Sequence, residues 1–409
     1  MSMTRRDLIA SAAGAAAAAA VPLRRARAAG PVLKFGVLTD LSGPYKDIGG
    51  PLATDCARLA VADFGAAAKG MTVEVIQADH QNKPDVGAGI ARQWFDRDGV
   101  DVILDVPNSG VALAIAGVAA EKNKVFLPSN PGTSDLTGKA CNPNTIHWSY
   151  DTWMLAHATG SALVKTGGTS WYFITADYAF GHALQRDASQ FVEGAGGKVL
   201  GASAYPFPGT SDFSSFLLQA QASGAKVVAF ANAGADTVNS IKQAKEFGLT
   251  QTLAGLLVFI SDVHSIGLTT AQGLVISGSF YWNLNDRTRG FSKRLWAKVP
   301  NVRAGMGHAG DYSAALHYLK TAQQMGVAEA KKDGAATVAR MKAMPTDDDC
   351  FGKGSIRIDG RKLHDAYLFQ VKKPAESKEP WDYYDVRATI PADEAFRPLK
   401  DGGCPLVKS

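Results

Sequence analysis

The sequence predicts an α/β protein built as two Rossmann-like lobes, each a parallel sheet flanked by helices, joined by a three-crossover hinge. Three observations carry this. From Val32 onward, short β-branched runs alternate with amphipathic helical stretches, the pattern of a parallel sheet covered on both faces. After Trp148 the alternation starts afresh. The segments left at the C-terminal end make no third unit, and are most economically placed by returning the chain to the first half and then to the second.

In the first half, "VLKFGVLTD", "MTVEVIQAD", "VDVILDV" and "KVFLPSN" read as strands, with "PLATDCARLAVADFG", "DVGAGIARQWFDRDG" and "GVALAIAGVAAEKN" as the helices between them. In the second half the strands are "TSWYFIT", "KVLGASAYP", "KVVAFAN" and "LAGLLV", separated by "AFGHALQRDASQFVEGAG", "DFSSFLLQAQASG" and "ADTVNSIKQAKEFG". Of the remainder, "GLVISGSFYW" is strand-like, "AGDYSAALHYLKTAQQMG" and "DGAATVARMKAM" are helical, and "GSIRID" with "AYLFQVK" reads as a hairpin. Crossovers are expected near 146–150, 278–283 and 345–352. They give one lobe of 29–146 plus 283–346, a second of 147–282 plus 347–390, and a tail of 391–409.

The residues before Val32 read as a sorting signal, 1–28. Paired Arg5 and Arg6, an Ala/Gly run, and small Ala26 and Ala28 around Arg27 resemble a twin-arginine export signal, with cleavage expected after Ala28 and delivery to a periplasm. The apolar run is too short and too poor in large side chains for a stable span, and Pro22, Arg24 and Arg25 close it. This leader supplies most of the formal net charge of +5. With no Lys/Arg run interleaved with aromatics beyond it, no nucleic-acid partner is expected.

Four cysteines enter an oxidising compartment, and spacing alone selects none of their three full pairings. Cys56 shares a helical face with Leu52, Leu59 and Ala60 and reads as a buried thiol. Cys141 and Cys404 lie in the loops "GKACNPN" and "DGGCPLV", where a bridge would tie down an irregular tail.

The first strand runs into "LSGPYKDIGGP", whose glycines at 43, 49 and 50 match neither dinucleotide nor P-loop spacing. Isolated among glycines and prolines, Tyr45 is better suited to a pocket wall than to a helix or strand. After the third strand, Asn108, Ser109 and Gly110 open a helix, so that Ser109 either caps it or offers its hydroxyl, and the following amides can face an anion. "SNPGTSD", with Asn130 and Thr133, ends the next strand. These loops leave the C-terminal ends of strands, where open α/β sheets bind ligands. No G-x-S-x-G, H-E-x-x-H or C-x-x-C occurs, so no enzyme and no cofactor are expected. Asp79 and His80, adjacent on an extended chain, point to opposite faces and make no metal site. Asp347 to Asp349 reads as a solvated turn.

Taken in order, "LSGPYKDIGG", "VDVILDVPNSGVALAIAGVAAEKNKVFLPSNPGTSDLTG", "ITADYAFGHAL" and "FANAGADTVNSIKQAKEFG" resemble the periplasmic solute-binding proteins of the branched-chain amino acid (Leu/Ile/Val-binding) ABC transporter family, over about Val32 to Pro398. The resemblance implies the type I periplasmic binding fold and a receptor, expected to be a monomer, that captures a small molecule between its lobes and hands it to an inner-membrane permease. A branched-chain amino acid-binding receptor, or a periplasmic ligand-sensing domain of the same fold, is the alternative. It implies that Ser109 and the Asn130 to Thr133 loop hold a ligand carboxylate, that Tyr178 closes over the ligand, and that Asn232 and Ala233 occupy the facing turn. Tyr45, Tyr281 and Trp282 would supply aromatic walls. Family members that take α-amino acids hold the ammonium with an acid whose match here falls at Val258 or Phe259, with Asp262 just beyond. Apolar residues there imply an organic carboxylate with an apolar or aromatic body in preference to leucine.

Overall fold

The computed structural model describes residues 31–408; the proposed leader lies outside them. In the first lobe β1 (Val32–Thr39), β2 (Thr72–Asp79), β3 (Val102–Asp105) and β4 (Val125–Pro128) form a parallel sheet in the order β2-β1-β3-β4, with Phe35 opposite both Val75 and Val102. Alternate side chains serve opposite faces, as the two-residue strand period requires. Phe35, Val37, Leu104 and Leu127 enter the main core beneath α1 (Gly50–Phe64). Leu38, Ile103 and Phe126 enter a second cluster beneath α2 (Pro84–Gln93) and α3 (Ser109–Glu121).

After α4 (Thr152–Lys165) the plan repeats. β5 (Ser170–Ala176), α5 (Ala179–Gly194), β6 (Lys198–Tyr205), α6 (Ser214–Ala222), β7 (Val227–Ala231), α7 (Ala235–Glu246) and β8 (Thr252–Gly255) give a parallel sheet β6-β5-β7-β8. The central strand β7, "VVAFA", is buried throughout, whereas the edge strand β6 alternates with solvent. In both sheets the strand order reverses beside the first strand of the lobe. The loops after β1, β3, β5 and β7 therefore flank the crevices where such sheets bind ligands.

Short helices α8 (Ile260–Ile266) and α9 (Leu268–Ala271) lead to β9 (Val275–Gly278), after which the chain returns to the first lobe as α10 (Asp286–Trp296) and α11 (Met306–Met325). The long helix α11 is buried along most of its length against α1 and β3. It is followed by α12 (Val327–Lys332), α13 (Gly334–Lys342), and the strands β10 (Thr346–Asp348), β11 (Gly352–Ile356), β12 (Lys362–Leu363), β13 (Ala366–Val371) and β14 (Tyr384–Ile390), then α14 (Ala392–Ala395).

The C-terminal strands depart from expectation. β11 does not form a hairpin with β13. It pairs with β10 and β12, while β13 lies antiparallel between β9 and β14, with Tyr367 opposite Gly278 and Thr389. The Asp347–Asp349 run is no solvated turn either. Asp348 is buried and accepts from Ser313 Oγ at 2.6 Å, while Arg287 lies 2.7 Å from Asp347 and Arg294 lies 2.8 Å from Asp349.

Cys141 and Cys404 are joined, with their Cα atoms 5.6 Å apart, and Cys56 and Cys350 are buried free thiols. The bridge fastens the C-terminal segment to the loop after β4, where Arg397 also donates to the Ser134 carbonyl at 2.9 Å. Because a cross-link mainly restricts the unfolded chain, replacing Cys141 and Cys404 together by serine should lower stability by about 2 kcal/mol. Urea unfolding checks this: an unchanged midpoint would mean that Arg397 and the buried Phe396 hold the segment without the bridge.

Candidate functional site

The opening loop is shaped by one carboxylate. Asp40, at the end of β1, accepts from the Gly43 amide at 2.6 Å, the Tyr45 amide at 2.8 Å and Asn82 Nδ2 at 2.7 Å. Thr39 Oγ1 receives the Gly50 amide, Asn130 Nδ2 donates to the Ile48 carbonyl, and His308 Nε2 meets the Gly49 carbonyl at 2.8 Å. The loop thus carries Tyr45 outward on a fixed frame. Charge-assisted bonds to three donors make that frame stiff.

Across the cleft Tyr178 stands at the N-terminus of α5, and its hydroxyl bonds that of Tyr45. Phe207, from the loop after β6, stacks on both rings, at 4.3 Å from Tyr178 and 5.3 Å from Tyr45. The Ala235 amide donates to the Pro44 carbonyl at 3.1 Å. This approach needs Gly234, whose φ is 60° and at which a Cβ would lie 2.5 Å from the Pro44 oxygen. A second tie runs from α5, where Asp187 accepts from Ser134 Oγ at 2.8 Å and Thr152 Oγ1 at 2.6 Å. The two lobes are closed on one another.

Between them lies a gap walled by Tyr45, Ile48, Pro107, Gly132, Tyr150, Tyr178, Phe180, Ala233 and Leu257, with no volume for a water-sized sphere. No wall residue is charged. Admission of a solute therefore requires the lobes to part about the hinge. Burial raises the pKa of both Tyr45 and Tyr178, so the paired hydroxyls stay neutral.

The expected site residues are distributed unevenly around this gap. Tyr45 and Tyr178 line it. Ser109 lies behind Pro107, fully buried, and its Oγ accepts the Thr133 amide at 3.2 Å, so that these two loops meet as a unit. It does not cap α3: Asn108 does, accepting the Val111 amide at 3.0 Å. Gly110 follows within the first turn of α3, and Thr133 Oγ1 is occupied with the Asp135 amide. The Asn130 side chain is turned inward to Ile48 and Asp105, although its carbonyl receives the Tyr150 hydroxyl. Asn232 is likewise committed to its own turn, bonding Ser240 and Thr237.

Phe259 and Tyr281 are not brought to the gap. They share a separate cavity of about 20 Å³, and the Tyr281 hydroxyl reaches Asp382 at 3.2 Å. The residue of the β8–α8 turn that faces the cleft is Leu257, one position before Val258. Asp262 is buried and accepts the Phe259 amide at 2.8 Å, closing the start of α8, and burial raises its pKa to about 7. Asp79 and His80 do not converge: Asp79 receives Ser42 Oγ, and His80 Nδ1 receives the Asn82 amide. Among the described residues no group of His, Cys, Asp or Glu suits a metal ion.

Sequence reasoning missed Tyr150, Phe180, Phe207 and Asp40. The first two sit beside a crossover and inside a helix, where aromatics usually mean packing. Asp40 did carry a signal, since an aspartate at the head of Asp-Leu-Ser-Gly commonly folds the next amides around its side chain.

The family described as periplasmic binding protein matches residues 32–378. A periplasmic binding protein from Burkholderia mallei is 49% identical, covering 92% of this chain and 99% of its own, with a TM-score of 0.88. A branched chain amino acid ABC transporter periplasmic ligand-binding protein from Burkholderia xenovorans is 40% identical over 91% of this chain and 99% of its own, at a TM-score of 0.79. A solute binding protein of an ABC transporter from R. palustris, in complex with benzoate, shares the fold at 21% identity and a TM-score of 0.80, covering 92% of this chain and all of its own. No functionally curated protein matches. Among the described residues no helix is long and apolar enough to cross a membrane. From this span of match and these full-length likenesses, the chain belongs to the type I periplasmic binding proteins, the substrate-binding proteins of branched-chain amino acid-type ABC transporters.

Proposed function

We propose that this protein captures a small organic carboxylate with an apolar or aromatic body in its interlobe cleft and delivers it, in the periplasm and as a monomer, to an inner-membrane permease. The lobes that close are taken as 29–146 with 283–346, and 147–282 with 347–390. The observation that carries the ligand class is the wall itself: four aromatic rings, Leu257 and no charged side chain. An anionic group would meet the Ser109 and Gly110 amides at the start of α3, the Val111 amide being taken by Asn108, together with the Ser109 hydroxyl. A flat apolar body would lie among Tyr45, Tyr150, Tyr178 and Phe180. The fold admits such a guest in the R. palustris protein, a likeness of fold alone. The 40% identical relative favours a second reading, a branched-chain amino acid.

Ser109→Ala should weaken benzoate binding by about 1–3 kcal/mol, the worth of one hydrogen bond to a charged group. Calorimetry on the mature chain reads it. Unchanged affinity would move the carboxylate away from Ser109, and a wild-type protein that ignores benzoate- and cinnamate-like acids altogether would remove the ligand class.

A further inference from the structure

The opening loop has two sides. Tyr45 and Ile48 face the cleft, while Lys46, Asp47 and Gly49 face a different cavity of about 390 Å³. Its other walls come from the start of α1, from α8, from the 299–303 loop and from Trp381, so both lobes contribute. That volume falls within the range of small-molecule sites. One wall is flat: Trp381 stacks on His264 with centroids 4.0 Å apart and planes 7° from parallel. Trp381 holds this position in a left-handed backbone conformation, φ 70°, with its carbonyl fixed by Trp282 Nε1 at 2.8 Å.

Beside that wall is Arg303. Its guanidinium lies over the Trp296 ring at 3.6 Å, and Nη1 donates to the Pro300 and Val302 carbonyls at 3.0 Å. Nε is buried without a partner, and among the described residues no carboxylate lies within 4.0 Å of Arg303. Of the other charges on these walls, Asp55 is 3.5 Å from Arg58, Asp47 and Lys46 offset one another, and Glu379 acts on Arg303 only from beyond ion-pair distance. Arg303 thus keeps its charge without a contacting carboxylate.

We propose that this cavity is a second binding site, distinct from the cleft, for a small planar organic carboxylate, its anionic group on the Arg303 guanidinium and its flat body against the His264–Trp381 stack. A guanidinium donor suits a carboxylate, and a ring suits a planar body. Because the walls belong to both lobes, an occupant stabilises the closed arrangement and raises cleft affinity, with the reverse effect equal in size.

The test follows the Trp381 indole N–H by NMR, assigned with Trp381→Phe, while benzoate is added to the mature protein. A saturable shift is expected. It should require about tenfold more benzoate in Arg303→Gln, from loss of a charge-assisted hydrogen bond. It should disappear in Ser265→Trp, which fills the cavity and leaves the Arg303 contacts alone, and it should persist in Ser109→Ala, whose defect lies in the cleft. No Trp381 response at millimolar benzoate would overturn the proposal. So would a response that survives Ser265→Trp but is lost in Ser109→Ala, since Trp381 would then only report closure of the cleft.

Discussion

Gly181→Ala is expected to destabilise the protein by about 3 kcal/mol or more and to abolish tight ligand binding. Gly181 is the third residue of α5, which follows β5 after only Asp177 and Tyr178. A Cβ there would penetrate the Ala176 carbonyl oxygen and stand 2.9 Å from its carbon. The obstacle is backbone, so no side-chain rotation relieves it, and α5 must move off the sheet. The same turn presents Tyr178 and Phe180 to the cleft, which couples the packing fault to binding. Gly194→Ala at the other end of α5 is the control, because its Cβ would meet nothing within 4 Å and alanine is the better helix former. Thermal and urea unfolding of the two variants decide the matter. A Gly181→Ala midpoint no lower than that of Gly194→Ala would show that the strand-to-helix approach is looser than its geometry.

How much of this was legible in the sequence depends on how local the determining contact is. β1, β3, β7 and the helices between them follow from runs of buried residues, since a parallel strand covered on both faces must be apolar throughout. β14 was invisible for the converse reason. It is an edge strand in which Val386, Arg387, Ala388 and Thr389 are all exposed, and nothing in "YDVRATI" demands burial. The supposed hairpin of β11 with β13 failed because strand propensity does not name a partner, and β13 is paired instead with the distant β9.

Of the cleft aromatics, Tyr45 stood out because its loop of glycines and prolines gives it no helix or strand interior to occupy, and Tyr178 through the family resemblance. Ser109 lies beside Thr133 in space, yet "PNSG" offers two capping side chains in succession, and only the fold shows that Asn108 takes the role. At the β8–α8 turn the boundary between two cavities is one residue wide. The β-strand ends at Gly255, Leu257 lines the cleft, and Val258, Phe259 and Ile260 line the separate cavity of about 20 Å³, so a shift of one in the match changes which residue faces the cleft.

Leu257 bears on the proposed ligand class, and benzoate- or cinnamate-like acids should bind more tightly than leucine by at least about 3 kcal/mol, more than roughly a hundredfold. The reason is the cost of enclosing an ammonium without an anionic partner. Leu257 occupies the cleft side of the turn from which family members offer an acid, and the nearest carboxylate in sequence, Asp262, is engaged with the Phe259 amide at 2.8 Å. With its pKa raised to about 7 by burial, Asp262 is also a poor standing anion at neutral pH. An aromatic acid needs no such partner and places its body among four rings. Calorimetry with leucine, benzoate and cinnamate on the same preparation tests the order. Tight leucine binding without response to the acids would sink it, and would require Asp262 to leave the Phe259 amide for the ammonium. In that event leucine affinity would climb as the pH rises through about 7, because only the ionised carboxylate pairs with the ammonium, and Asp262→Asn would remove both the affinity and its pH dependence. Benzoate affinity, resting on amides and a serine hydroxyl, would show no such climb.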